Sequence, residues 1–140
     1  MLIDSHCHLD QLADPGAALA EAGRAGVERI VAVSEGAETM PAVLALKEQY
    51  ADKVLAGLGL HPAWVTRAAV EEVEAGLAFI EEHLAEADVV AFPSTYEGFG
   101  IPVLEAMAAG VAVLVADGTP TADLVWGCDA VVGAADSAAW

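Results

Sequence analysis

Basic residues are scarce in this sequence. Lysine and arginine total 5 of 140 residues against 22 aspartates and glutamates, so the formal net charge is −17. No lysine or arginine follows Arg67. Because phosphate contacts supply most of the affinity for nucleic acids, and because anionic membranes attract basic segments, this charge argues against both. We expect no nucleic-acid partner and no membrane partner.

Cysteines and long apolar runs are also few. Cys7 and Cys128 are far apart and lack the CxxC spacing, which is typical of two reduced thiols. The longest apolar run, residues 106–116, is interrupted by Gly110 and is too short to span a bilayer. The first residues show neither the basic nor the apolar segment of a signal peptide, and we expect a cytoplasmic protein.

Apolar residues, by contrast, are abundant. They make up 56% of the chain, and the mean hydropathy is +0.52, which is enough to cover both faces of a parallel sheet. Six apolar segments alternate with helical ones, and we predict strands at residues 2–4, 28–34, 54–59, 88–92, 111–116 and 129–132. Strict alternation predicts parallel strands with right-handed crossovers. We expect one α/β domain over residues 1–140, a three-layer sandwich with a doubly wound, Rossmann-like six-stranded sheet in the order 3-2-1-4-5-6.

Helix signals lie between these strands. Asp14 with Pro15, and Thr39 with Pro41, are typical of helix starts. The longest predicted helix lies within residues 66–87, and a short one is expected over about 120–126. One apolar stripe of the long helix is formed by Val70, Val73, Leu77, Ile80 and Leu84. Four further residues are expected in the core: Phe92, Phe99, Leu104 and Met107.

A glycine-containing loop between the fourth strand and the next helix is one candidate site. Gly98 and Gly100 permit close approach of a ligand to the backbone, and the helix start leaves N–H groups free. Glu97 and Glu105 lie at the two ends of this stretch. We take these four residues as candidates for binding a nucleotide or another small anion.

Two histidines at the end of the first strand form the second candidate site. His6 and His8 are two residues apart, so both imidazoles are expected on one side of the strand. Imidazoles suit Zn²⁺, and a catalytic zinc has about three protein ligands. In the predicted strand order the first and fourth strands end at one crevice, which makes Glu97 the expected third ligand. His61 ends the third strand, about 10 Å from the first at ~4.8 Å per strand.

The first half of the chain resembles the TatD family of metal-dependent deoxyribonucleases. The matching pieces are Met-Leu-Ile-Asp-Ser-His-Cys-His-Leu-Asp at residues 1–10 and Gly-Leu-Gly-Leu-His-Pro at residues 57–62, and the resemblance extends to about residue 84. That family is a TIM barrel, and this segment is similar to its first three β/α units. The resemblance implies metal binding at His6 and His8, with the remaining ligands supplied by later barrel strands.

The second half resembles the C-terminal nucleotide-sugar domain of retaining GT-B glycosyltransferases. The resemblance covers about residues 87–136 and includes two glutamates, Glu97 and Glu105, separated by seven residues. It implies that Glu97 lies by the donor sugar and Glu105 by the ribose. A diphosphate normally also needs lysine or arginine, and none follows residue 67.

The two resemblances meet near residues 84–88, where one α/β repeat can replace another without breaking the alternation. We interpret the chain as an engineered chimera, the rival being a natural chain with a chance resemblance. We expect a scaffold without native catalytic activity and assign no catalytic residue. One alternative is a weak metal-dependent phosphoesterase at His6, His8 and Glu97, and the other is a nucleotide-sugar or anion-binding module at residues 97–105. Pairing of a sheet edge into a homodimer is also left open.

Overall fold

A computed structural model of the chain describes residues 2–96, 98–125 and 130–132. The chain divides into two compact units, Met1–Glu81 and Glu82–Trp140. This division falls within a few residues of the seam that the sequence predicts at 84–88. The single domain over residues 1–140 stays a prediction.

The first unit alternates strands and helices as its apolar segments predict. Its elements are β1 (Leu2–Cys7), α1 (Pro15–Arg24), β2 (Val27–Val33), α2 (Met40–Gln49), β3 (Val54–Gly57), α3 (Pro62–Val65) and α4 (Val70–His83), the last of which extends two residues past the unit boundary. The three strands form a parallel sheet in the order β1-β2-β3, with Asp4 beside Ile30 and Ile30 beside Val54. The buried core residues of this unit are Leu9, Leu19, Ile30, Ala32, Val43, Leu46 and Val54.

Of the two residues predicted to cap helix starts, Asp14 caps its helix and Thr39 does not. Asp14 is the N-cap of α1, and its Oδ1 accepts a hydrogen bond from the Ala17 N–H at 2.9 Å, as predicted. Thr39 precedes α2 but makes no capping bond to that helix. Its Oγ1 instead accepts from the N–H groups of Glu35 and Gly36, at 3.0 and 3.1 Å. Thr39 therefore fixes the loop that follows β2.

The predicted long helix is divided, and its predicted apolar stripe is buried only in part. Residues 66–69 separate α3 from α4, and a 3₁₀ turn follows α4 at Leu84–Glu86. Val70 and Leu77 are 68% and 56% exposed, whereas Gly76 is buried. A Cβ at residue 76 would lie 2.8 Å from Leu60 Cδ2. The other three stripe residues are half-buried, so part of the stripe packs as predicted: Val73, Ile80 and Leu84.

The second unit contains a second parallel sheet. Its elements are β4 (Val89–Phe92), α5 (Ile101–Ala108), β5 (Ala112–Ala116) and β6 (Ala130–Val132), and the sheet order is β4-β5-β6. Its buried core residues are Val103, Ala106, Val111, Val113 and Val115. Both halves of the predicted strand order are therefore found. No pair between β1 and β4 occurs among the residues that the structure describes, so the six-stranded order as a whole is not confirmed.

Two predictions for the second unit need correction. The short helix expected over about 120–126 is absent from its described part, residues 120–125, where turns close through bonds such as Leu124 N–H to Thr121 O at 3.1 Å. Phe99 is 60% exposed and Leu104 is 36% exposed, so neither belongs to the core. Phe92 and Met107 do pack against it. In the described ranges, no helix has both the length and the apolar character needed to cross a membrane.

Candidate functional site

Several polar side chains of the first unit lie at the carboxyl end of its sheet. His6 and His8 lie where β1 ends, and Ser34 and Glu35 directly follow β2. Parallel strands place their carboxyl ends at one edge, where open α/β sheets bind ligands. This edge is therefore the candidate site, and its geometry determines what it can bind.

The two histidine rings lie side by side, as their spacing predicts. Their ring centroids are 5.2 Å apart, with an interplanar angle of 87°. The His6 backbone N–H also donates to Asp4 Oδ1 at 3.1 Å. The strand thus presents two imidazoles at one position on the sheet edge.

A backbone carbonyl determines which His8 nitrogen can act as a ligand. His8 Nδ1 lies 3.0 Å from the Val33 carbonyl oxygen, which can only accept a hydrogen bond. Nδ1 therefore carries the proton, and in the neutral ring Nε2 has a free lone pair. A metal-binding histidine is commonly oriented in this way, with its other N–H donated to a carbonyl.

Glu35 faces His8, and the sequence analysis did not identify it. Its Oε1 lies 4.0 Å from His8 Nε2, and its Oε2 accepts a hydrogen bond from Gln11 Nε2 at 3.1 Å. Its carbonyl accepts from the His61 N–H at 2.7 Å. The available signal was a carboxylate directly after the second strand, which by parallel pairing ends beside the first.

The end of β3 contributes structural contacts. Ser34 Oγ donates to the Gly59 carbonyl at 2.8 Å and accepts from the Gly59 N–H at 3.0 Å. His61 is the N-cap of α3, and its Nδ1 accepts from the Ala63 N–H at 3.1 Å. These contacts hold the loop after β3 against the end of β2.

The histidine pair offers two imidazoles to a cation, and metal binding there stays a prediction. Within the described ranges, no group of three or more histidine, cysteine, aspartate and glutamate side chains has the geometry of a metal site. Glu97, the predicted third ligand, lies outside the described residues, so the set His6, His8 and Glu97 stays a prediction. Two imidazoles, one with a correctly oriented lone pair, suit Zn²⁺ with water completing its coordination.

The predicted anion site in the second unit is described only in part. Gly100 has φ +80° and is the N-cap of α5, without a capping side chain. A Cβ there would lie 2.4 Å from Thr121 Cγ2, whereas a Cβ at Gly98 would meet no atom within 4 Å. Glu105 is exposed on α5, and Glu97 falls outside the described residues. The loop geometry expected of a glycine is thus found at Gly100, while ligand binding at these four positions stays a prediction.

The two cysteines were predicted to be reduced thiols, and the structure describes Cys7. Cys7 is a free thiol that packs against the core of the first unit. Burial, followed by the negative charges of Asp4 and Asp10, raises the pKa of the Cys7 thiol above its ordinary value of 9.0. A raised pKa opposes formation of the thiolate, which is the nucleophilic form. Cys128 lies outside the described residues.

Comparison with protein families separates the same two parts of the chain. Residues 3–93 match the family described as TatD related DNase, and residues 78–127 match Glycosyl transferases group 1. The fold and site define an α/β protein with a histidine pair at a strand's carboxyl end. The chain belongs to the TatD related DNase family, and it is a composite with a glycosyltransferase-like second part. The predicted seam at 84–88 lies where the two matches overlap.

Solved TatD structures are similar to this chain. One is YJJV, a TatD homolog from Escherichia coli K12, with 26% identity and a TM-score of 0.55; the match covers 82% of this chain and 50% of that one. Another is a hydrolase TatD family protein from Entamoeba histolytica, with 12% identity and a TM-score of 0.50, covering 88% and 52%. The second likeness shows the fold alone. The chain spans about half the length of these relatives, and a comparison with curated proteins found no match.

Proposed function

We propose that this protein is a chimeric α/β scaffold that keeps a cation-binding histidine pair and has no retained native catalytic activity. The observation that carries the proposal is the pairing of His6 with His8, whose Nε2 lone pair is left free by the bond to Val33. Two imidazoles are enough to bind a divalent cation. A catalytic zinc typically has three protein ligands and an open position for water.

Three residues have roles in the proposed cation binding. Val33 orients the His8 ring through Nδ1, and His6 supplies the second nitrogen. A zinc ion, when bound, would acidify a coordinated water. The TatD resemblance implies further ligands from later barrel strands, but beyond residue 93 the chain follows the glycosyltransferase pattern instead. This change of family within the chain supports binding without hydrolysis.

Hydrolysis of bis(p-nitrophenyl) phosphate tests the proposal against the phosphoesterase alternative. The full chain is assayed with zinc and with EDTA, beside the variant His6→Ala/His8→Ala as the matched control. We expect all samples to match buffer containing the same zinc. A zinc-dependent rate that disappears both in EDTA and in the double variant would overturn the proposal and establish a weak metal-dependent phosphoesterase.

The second candidate function is binding of a nucleotide-sugar or small anion at residues 97–105. It is supported by the family match over residues 78–127 and by the glycine geometry at Gly100. The absence of lysine and arginine after residue 67 weighs against it, because no fixed positive charge in that part of the sequence can neutralise a diphosphate. Titration with UDP, followed by amide NMR shifts of Gly98 and Gly100, should give no change below millimolar concentration. Saturable shifts at both glycines would favour this candidate instead.

The proposal also covers the strand order, the cellular location and the partners of the protein. We propose the strand order 3-2-1-4-5-6 and a cytoplasmic location for this engineered chain, and the single domain over residues 1–140 is the alternative to two independently stable units. The charge of −17 supports the absence of a nucleic-acid partner. A homodimer through a sheet edge remains the alternative to a monomer, and light scattering distinguishes the two.

A further inference from the structure

We infer that the exposed side of α5 is a docking surface for a cationic amphipathic helix of another protein. We call it the α5 surface, and it consists of the exposed side chains of Phe99, Ile101, Leu104 and Glu105. It lies in the second unit, and the inference does not depend on the proposed cation binding at the histidine pair.

Apolar side chains lie on both sides of α5. Val103 and Ala106 are fully buried and belong to the core of the second unit. Ile101 and Leu104 are three residues apart, and are therefore neighbours on the helix surface, yet they are 60% and 36% exposed. A helix that is apolar all round is typically covered on every side. The exposed side of α5 therefore has the character of a contact surface and not of a solvated helix face.

An aromatic side chain extends this apolar surface beyond the start of the helix. Phe99 is 60% exposed and lies two residues before Ile101. Gly100, between them, has φ +80°, and the fully buried Thr121 leaves no room for a side chain there. The turn that presents Phe99 is thus packed against the unit. Exposed aromatic residues are typical of the anchors at protein–protein interfaces.

The charge of the α5 surface determines which partner it favours. Glu105 is exposed and is the one charged residue of α5. A two-fold dimer through this surface would bring together two copies of Glu105, neither of which has a lysine or arginine from α5 to pair with. It would also join two chains that each have a net charge of −17. A cationic partner, by contrast, is attracted by the chain and pairs with Glu105.

The shape of the surface favours a helix as that partner. Ile101 and Leu104 form a short ridge, and a second helix packs such ridges into the grooves between its own side chains. Amphipathic helices bind in this way through apolar residues three and four positions apart. A lysine or arginine at the edge of the apolar face then reaches Glu105.

Binding of a labelled synthetic helix of leucine and lysine to the full chain, followed by fluorescence anisotropy at low salt, tests the inference. The matched variants are Ile101→Ser/Leu104→Ser and Val70→Ser/Leu77→Ser, the second pair being exposed apolar residues among the glutamates of α4. We expect the α5 pair to weaken binding about 10-fold or more, as loss of interface anchors does. The α4 pair should bind as the parent does. Equal weakening by both pairs, or by neither, would overturn the assignment to α5.

Charge reversal tests the same surface without removing its apolar residues. Glu105→Lys and Glu71→Lys change the net charge equally, and both positions are exposed. Glu105→Lys should weaken binding of the leucine–lysine helix about 10-fold at low salt and less at high salt, because salt screens exposed charges. Glu71→Lys should have little effect. Equal effects would show attraction to the net charge alone and overturn the inference, even if circular dichroism shows the serine variant of α5 to be unfolded.

Light scattering of the parent chain without the synthetic helix distinguishes a second copy as the occupant. A monomer that binds the helix through α5 supports the inference. A dimer that dissociates in Ile101→Ser/Leu104→Ser, or in Glu105→Lys, would overturn it and assign the surface to a second copy of this chain. Absence of helix binding by the parent would also overturn it, while leaving the proposed cation binding untouched.

Discussion

At the scale of single residues, the environment of a side chain decides what chemistry it can perform. Cys7 lies between His6 and His8 in sequence, yet it packs against the core while their two rings lie together at the sheet edge. Alternation along a strand explains this separation. The sequence was therefore sufficient to predict that the thiol is not part of the histidine site.

The raised pKa of Cys7 gives a prediction about pH. An unfolded thiol loses its proton near pH 9, whereas the folded one keeps it to higher pH, so the stability from this group is full below pH 9 and falls as pH rises above it. In the variant Cys128→Ser, with EDTA present, iodoacetamide should alkylate Cys7 more slowly at pH 8 than it alkylates a free cysteine derivative. The rate should climb above pH 9. A rate equal to that of the free thiol at pH 8 would contradict the raised pKa.

The spacing of His6 and His8 does not reveal the long-range contacts of His8. The spacing of His6 and His8 was enough to predict two adjacent imidazoles. The nitrogen of His8 that remains free depends on Val33, and the group that faces it is Glu35. Both partners lie at least 25 positions along the chain from His8, so local spacing carries no information about them.

At the scale of elements, the side chain of Ser34 joins the ends of two strands. Ser34 is 8% exposed, and its hydroxyl bonds both polar groups of the Gly59 backbone. Ser34→Ala removes both bonds to the half-buried Gly59 backbone, and at about 0.5–1.5 kcal/mol for each bond we expect a loss of about 1–3 kcal/mol. Urea unfolding followed by Trp64 fluorescence, in a Trp126→Phe/Trp140→Phe background, measures the loss.

Thr66→Ala is the matched control for Ser34→Ala. Thr66 also bonds a backbone carbonyl, that of Ala63, but from an exposed position where water can replace the hydroxyl. We expect it to change the free energy of unfolding by less than about 0.5 kcal/mol. Equal effects of the two variants would show that the Ser34 bonds contribute no more than a surface contact.

Helix faces were predicted less well than helix positions. Of the predicted stripe on α4, Val70 and Leu77 are exposed and the other three residues are half-buried. The fully buried position of the helix is Gly76, against Leu60 and Ala37. A search for apolar periodicity detects large apolar side chains and overlooks glycine. Gly76 is buried because its missing side chain leaves space for Leu60. The Asp14 cap, by contrast, is a local interaction and was predicted correctly.

At the scale of the whole molecule, the two units have separate cores. The buried residues of the first core lie between Leu9 and Val54, and those of the second between Val103 and Val115. Each core is closed by its own three-stranded sheet. We therefore expect a change confined to one core to leave the stability of the other unchanged.

Gly100→Ala tests this expectation. Its positive φ and the contact with Thr121 should cost the second unit about 1–3 kcal/mol. Hydrogen exchange of the Val113 and Val115 amides in β5 should record that loss, while the Trp64 unfolding midpoint of the first unit stays constant. Gly98→Ala, at an open position, should change neither. An equal fall in both measurements would instead establish the single cooperative domain predicted from the sequence.

The sequence by itself determined the alternation of strands and helices, the family of the first part, the glycosyltransferase-like second part and the seam between them. It also determined that His6 and His8 share a side of their strand. These properties depend on residues that are neighbours along the chain. The tertiary structure alone decided the free nitrogen of His8, the approach of Glu35 and the burial of Gly76 in α4, because each depends on groups that only folding brings within a few ångströms.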